Sequence, residues 1–173
     1  MSKLPHAHKL IAYGNHELNH DRPGKLKDDG IKIIQNCGGT YLEDESVVID
    51  EIKFWLSATS PFFCDWAFNR QRGPDIASVW AKIPDDVDVI GTHGPPFGVF
   101  DQCERGFGQC ENVGCVDLMK RIGELHNLKL SVFGHIHSQY SAKPLLLGEV
   151  QYVNASVCNE KYQPVNKPVM VDL

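Results

Sequence analysis

The sequence predicts an α/β domain on a mixed β-sheet, and three features point that way. Strand-length apolar runs alternate with segments of helical periodicity in the middle of the chain, and hairpin patterns dominate the flanks. Three predicted strands also stop at glycine-punctuated polar turns: Gly14-Asn15-His16-Glu17, Thr92-His93-Gly94-Pro95-Pro96 and Gly134-His135-Ile136-His137. Strand–helix alternation implies parallel pairing with helical crossovers, and hairpins add antiparallel strands. With 173 residues the chain can bury one core, so a single domain over 1–173 is expected.

Lys9–Tyr13 is a short apolar run ending at Gly14, the pattern of a buried strand feeding a loop. Residues 20–30, rich in charge, glycine and proline, read as loop. Residues 47–59 read as two strands about an Asp50-Glu51 turn, and the aromatic, turn-rich 60–74 as a long surface loop. Ile76, Val79, Trp80 and Ile83 recur at helical spacing, so 75–83 is predicted as an amphipathic helix. A strand over Val87–Thr92 follows. Cys115, Leu118, Met119, Ile122 and Leu125 then mark the buried face of a helix starting at Asn112 or Val113. The remaining predicted strands are Leu128–Phe133, Pro144–Leu147, Val150–Asn154 and Val169–Leu173, with a Gly148-Glu149 turn joining the second and third of these.

Composition narrows the function classes. The chain is 42% hydrophobic and 23% charged with a net charge of −5, which offers no basic footprint for a nucleic-acid polymer or an anionic membrane. No run has the length of a membrane-spanning helix, and residues 1–15 lack the apolar core of a signal peptide, so a cytoplasmic location is expected. The six cysteines form no C-x-x-C pair and read as free or buried thiols.

The chemistry lies in the three turns. Functional groups of α/β sheets collect at the carboxyl ends of strands, and flanking glycines let the chain turn tightly there. His135 and His137, two apart, share a face if the backbone is extended. They could serve one metal, or one each of two metals about 3.5–4 Å apart. Asn15 adds a carbonyl oxygen and His93 a neutral nitrogen, a donor set suited to zinc, manganese or iron. Arg70, Arg72 and Arg105 are candidate phosphate contacts on the two long loops, with surface solvation as the alternative.

The order Gly-Asn-His-Glu, Thr-His-Gly-Pro-Pro, Gly-His-Ile-His resembles the calcineurin-like metallophosphoesterases, and most closely their metallophosphoesterase-domain-containing subgroup. Gly14–Glu17, Trp66–Asn69, Thr92–Pro96, Val113–Val116 and Tyr152–Ser156 carry the likeness, which runs from Leu4 to Leu173. The resemblance implies a sandwich of mixed sheets flanked by helices and a two-metal centre for phosphodiester hydrolysis. Asn15, His93 and His135 would bind the second metal and His137 the first. His16 would act as general acid, Glu17 would orient His16 or its loop, and Asn154 would touch the substrate or cap buried backbone. Substrates would be small phosphodiesters such as cyclic nucleotides.

The sequence departs from that pattern in one respect. The family's Asp-x-His and Gly-Asp motifs, which supply its remaining metal ligands, are absent, and only thirteen residues precede Gly14. His6 and His8 fall in a different place, just before the Tyr13 strand. The expectation is therefore an incomplete sandwich in an N-terminally truncated domain. It should hold at most one divalent ion (manganese, iron or zinc), with impaired hydrolase activity. The alternative is a non-catalytic metal- or nucleotide-binding module or an inactive fragment.

Overall fold

A computed structural model describes residues 3–104 and 109–173. In chain order the elements are β1 (Leu10–Ile11), α1 (Lys25–Asn36), β2 (Thr40–Tyr41), β3 (Glu45–Ile49), β4 (Ile52–Ser57), β5 (Ser60–Pro61), β6 (Asn69–Arg70) and α2 (Pro74–Trp80). Then come β7 (Val89–Thr92), β8 (Gln102–Glu104), β9 (Cys110–Asn112), α3 (Val116–Ile122), β10 (Leu130–Phe133), a 3₁₀ turn at His137–Gln139, β11 (Leu145–Leu147) and β12 (Val150–Asn154).

The main sheet has the order β11-β12-β10-β7-β4-β3. The four central strands run parallel, with Leu130 beside both Val89 and Gln151, and Ser57 beside Thr92. An antiparallel hairpin closes each edge. The mixed α/β sheet expected from the sequence is thus observed. Parallel pairing brings the carboxyl ends of β4, β7, β10 and β12 to one edge, where the polar turns lie.

Period-two alternation gives the sheet two apolar faces. Trp55, Ile90, Phe133 and Tyr152 face α2 and α3, meeting Ile76, Val79, Trp80, Leu118 and Ile122 in the main core. Trp55 and Trp80 meet edge to face at 6.2 Å, an arrangement that adds about 0.5–1.5 kcal/mol beyond area burial. Val89, Leu130 and Val153 occupy the other face with Phe54, Val132, Val169 and Val171.

Several expectations are corrected. Residues 20–30 are not all loop: α1 begins at Lys25 and runs to Asn36, burying Ile34. Gly30 lies inside that helix because a Cβ there would strike the Tyr13 hydroxyl and come within 2.9 Å of the His20 ring. The third helix begins later than Asn112 or Val113. Residues Cys110–Asn112 pair with β8, and the Cys115 Sγ caps α3 by accepting from Leu118 N at 3.4 Å. Val169–Leu173 forms no strand. It packs Val169 and Val171 on the second face, and its Asp172 carbonyl accepts from Gln151 Nε2 at 3.0 Å. The Tyr13 strand lies outside the main sheet and pairs with β2. The 60–74 segment is more ordered than a plain surface loop. β5 and β6 pair across it, and Asn69 staples it by accepting from Phe63 N at 2.8 Å and donating to the Ala67 carbonyl at 3.0 Å. All six cysteines carry free thiols.

Candidate metal centre

The three polar turns converge on one cleft of about 310 Å³ at the carboxyl edge of the sheet. Asn15, His16, His93, His135 and His137 all line it. His93 follows β7 and is set by its own backbone N–H, which donates to the Ser57 carbonyl at 3.1 Å. The Gly134 N–H donates in turn to the His93 carbonyl at 3.1 Å, binding the second turn to the first.

The Gly134–His137 turn is not extended, as the i, i+2 argument assumed. His135 takes a left-handed backbone with φ 67°, and His137 opens the 3₁₀ turn. Both imidazoles still reach the cleft because the reversal at His135 re-aims its ring. A non-glycine residue in that conformation costs about 1–2 kcal/mol, which surrounding packing must offset.

His93 Nε2 and Asn15 Oδ1 lie 2.5 Å apart, with the imidazole N–H donating to the amide oxygen. The His93 and His135 rings stand 4.7 Å apart. Burial, reinforced by the neighbouring histidines, holds His93 down to about 3 and His135 down to about 4. Both are therefore neutral at physiological pH, as a nitrogen ligand must be. His137 Nδ1–H donates to the Asn159 carbonyl at 3.0 Å, so Nε2 is the ring nitrogen that this contact leaves unengaged. His16 is exposed, edge-to-face with Trp66 at 4.6 Å and with Tyr162 at 5.6 Å.

Two further candidates bond to the backbone around the cleft. Glu17 Oε2 accepts from Gly14 N at 2.6 Å, so it closes its own turn rather than engaging the His16 ring. Asn154 is fully buried below the cleft. Its Nδ2 donates to the Ile136 carbonyl at 2.9 Å, and its Oδ1 accepts from Ser156 N at 3.0 Å and Ser156 Oγ at 2.7 Å. That is the capping role, and it stabilises the His135–His137 turn from beneath.

Arg70 and Arg72 lie elsewhere. Arg72 donates to the Gly114 and Val113 carbonyls at 2.8 and 2.6 Å, tying the start of α2 to that of α3. Arg70 borders a separate hollow with Asp21, Glu43, Asp44 and Asp65, and Arg105 lies outside the described residues. His6 and His8 are exposed and away from the cleft. Phe63, Cys103, Ser138, Glu160 and Tyr162 join the lining without having been singled out from the sequence. Only the turn residues Asn159 and Pro164 hinted that the 158–166 segment folds back.

The donor set does not fit a two-cation centre. It comprises one amide oxygen and three imidazoles, and Glu160 is the one carboxylate among the described lining residues. Among the described residues, no three His, Cys, Asp or Glu side chains converge as a metal-binding group. Two divalent ions held close together without a bridging carboxylate repel strongly. For His93 Nε2 to ligate even one ion, its proton must move to Nδ1 and the 2.5 Å contact with Asn15 must open.

No family model matches the chain. Among curated proteins it is 35% identical to Metallophosphoesterase domain-containing protein 1 of Homo sapiens over 193 residues, which cover all of this chain and 57% of the relative. The Mus musculus protein of that name matches equally. UPF0046 protein K07C11.7 of Caenorhabditis elegans is 35% identical over 181 residues, covering 98% of this chain and 59% of its own. A solved crystal structure shares the fold at TM-score 0.52 and 15% identity, over 76% of this chain and 51% of that one. The chain thus spans somewhat more than half the length of the curated relatives it matches. By sequence, this chain is a relative of the metallophosphoesterase domain-containing proteins.

Proposed function

We propose that the chain carries the histidine-rich part of a metal-dependent phosphodiester hydrolase. The convergence of Asn15, His93, His135 and His137 on one cleft supports this reading. The cleft would take at most one divalent ion, manganese, iron or zinc, on neutral donors. Its partner is a small phosphodiester or nucleotide, and its setting the cytoplasm. His16 at the rim would donate a proton to a departing oxygen. Full turnover needs carboxylate ligands beyond those the described residues bring to the cleft. A three-histidine zinc site shows that neutral donors alone can hold an ion.

The absence of such carboxylates favours a second reading, a module that binds metal or nucleotide without turnover. One experiment separates the two. The purified chain is loaded with manganese or zinc, buffer-exchanged, assayed for retained metal and then for hydrolysis of a small aryl phosphodiester with and without chelator. One retained equivalent, lost in His93→Ala, together with chelator-sensitive hydrolysis lost in His16→Ala, supports the hydrolase. Retained metal without hydrolysis favours the binding module, and no retained metal refutes both metal-based readings. Two equivalents would mean that carboxylate ligands reach the cleft by another route.

A further inference from the structure

The main sheet ends in two unlike edges, β3 on one side and β11 on the other. An exposed hydrophobic edge strand invites strand addition, and charge within the strand is the common defence against it. β11 is Leu145-Leu146-Leu147, exposed by 38%, 62% and 45%, with no charge among them. The charges stand just outside, Lys143 before the strand and Glu149 after it. Both are exposed, and neither forms an ion pair or side-chain hydrogen bond with the described residues.

Local geometry leaves one side of β11 unused. Gly148, φ 62°, opens a two-residue turn to β12, and Leu147 pairs with Val150, Leu146 with Gln151 and Leu145 with Tyr152. Such a turn closes on a hydrogen-bonded pair, and bonded and non-bonded pairs alternate along an antiparallel ladder. Leu145 and Leu147 therefore commit their backbone groups to β12, whereas the Leu146 N–H and C=O point to the open side. Leu145 and Leu147 also extend the face of Tyr152 and Val150, which packs on the α2–α3 core, and Leu146 lies on the opposite face beside Gln151.

The segment Lys143-Pro144-Leu145-Leu146-Leu147-Gly148-Glu149 is its own complement when reversed. Antiparallel pairing of two copies about Leu146 sets Leu146 on Leu146, Leu145 on Leu147 and Lys143 on Glu149. The two Leu146 residues can exchange N–H···O=C bonds, and each Gly148 N–H can meet a Pro144 carbonyl. Proline has no N–H to return, so the ladder ends there. The same operation on β3 about Val47 sets Asp44 on Asp50, a like-charge pair. Opposite signs at one edge and like signs at the other single out β11.

We propose that β11 is a self-association edge. A second copy of this chain adds its own β11 antiparallel about a two-fold axis through Leu146, with Lys143 of each copy against Glu149 of the other. The operation occupies the edge completely, so association stops at the dimer. The contact is smaller than about 1,200 Å², so the dimer is weak, with a Kd of about 10–100 µM.

The test is sedimentation equilibrium of the 173-residue chain at concentrations from about 2 to 500 µM. The mass should rise from 19.4 kDa toward twice that value. Lys143→Glu and Glu149→Lys should each weaken association at least about tenfold, because both symmetry-related charge pairs become like pairs. An equimolar mixture of the two variants should restore it, since one is then acidic at both positions and the other basic at both. Leu146→Lys, at an exposed site, should abolish association and leave the thermal midpoint unchanged; if that variant unfolds, the mixture decides alone. A wild-type chain that stays at 19.4 kDa throughout overturns the proposal and leaves the edge to a strand of another protein. Dimers that persist in both charge variants, a mixture that fails to recover, or growth past the dimer mass also overturn it.

Discussion

Replacing Gly14 by alanine tests whether close packing sets the geometry of the cleft. A Cβ on Gly14 would lie 2.5 Å from His93 Nδ1 and 3.0 Å from Nε2. Ordinary contact begins at about 3.5 Å, so the imidazole must retreat by about 1 Å. Gly14 is not in the left-handed region, so the alanine adds no backbone strain and the collision is the whole perturbation. Retreat breaks the 2.5 Å contact between His93 and Asn15 and presses the ring toward His135. Overpacking of this kind costs about 1–3 kcal/mol, or about 2–12 °C in Tm for a chain of this size. Gly94 on the next turn is an internal control, because a Cβ there meets Ser60 Cβ at 3.6 Å and His135 Cδ2 at 3.9 Å, ordinary distances. Gly94→Ala should stay within about 0.5 kcal/mol of wild type. Urea melts of both variants, with histidine NMR titrations to follow the His93 environment, give the answer. Equal stability of the two variants with an unmoved His93 resonance would refute the packing argument.

Stability without metal should depend on pH below neutrality. His93 and His135 sit at about 3 and about 4 in the folded chain, below the ordinary 6.5, so the unfolded chain binds protons first as pH falls. Their contribution is complete above about pH 7 and is lost through the window from about 6.5 down to about 4 for His135 and about 3 for His93, with a limiting slope of about 2.7 kcal/mol per pH unit while both titrate. Urea melts between pH 7.5 and 5 should show that slope, with about half of it in His93→Gln, and a flat profile would contradict the buried neutral pair. Asn154→Ala should destabilise the chain by about 2–4 kcal/mol, because it strands the Ile136 carbonyl and Ser156 N–H in the interior. A loss under about 1 kcal/mol in denaturant melts would show that these groups find other partners.

Local order along the chain determined much of this protein. Strand-length apolar runs marked β4, β7, β10 and β12, and the period of 3.6 marked α2, since these patterns report which residues are buried. The glycine-flanked turns identified Asn15, His93, His135 and His137, because tight reversals at strand ends need particular residues nearby in sequence. Other features depended on contacts between distant segments. α1 was hidden by Gly24 and Gly30, and Gly30 makes sense only beside Tyr13 and His20. Arg72 was open to phosphate contact or to solvation until α3 placed the Val113 and Gly114 carbonyls within its reach. Asn154 could have served the substrate or the scaffold until the Ile136 carbonyl was found above it. Tyr162 lies 146 residues from His16, and no pattern in the sequence links them. The sequence by itself determined the strands and the identity of the polar turns, because backbone preference and burial period are local. Tertiary structure alone decided which donors meet, which are used up in hydrogen bonds and which rings wall the cleft, because each of those depends on where remote segments come to rest.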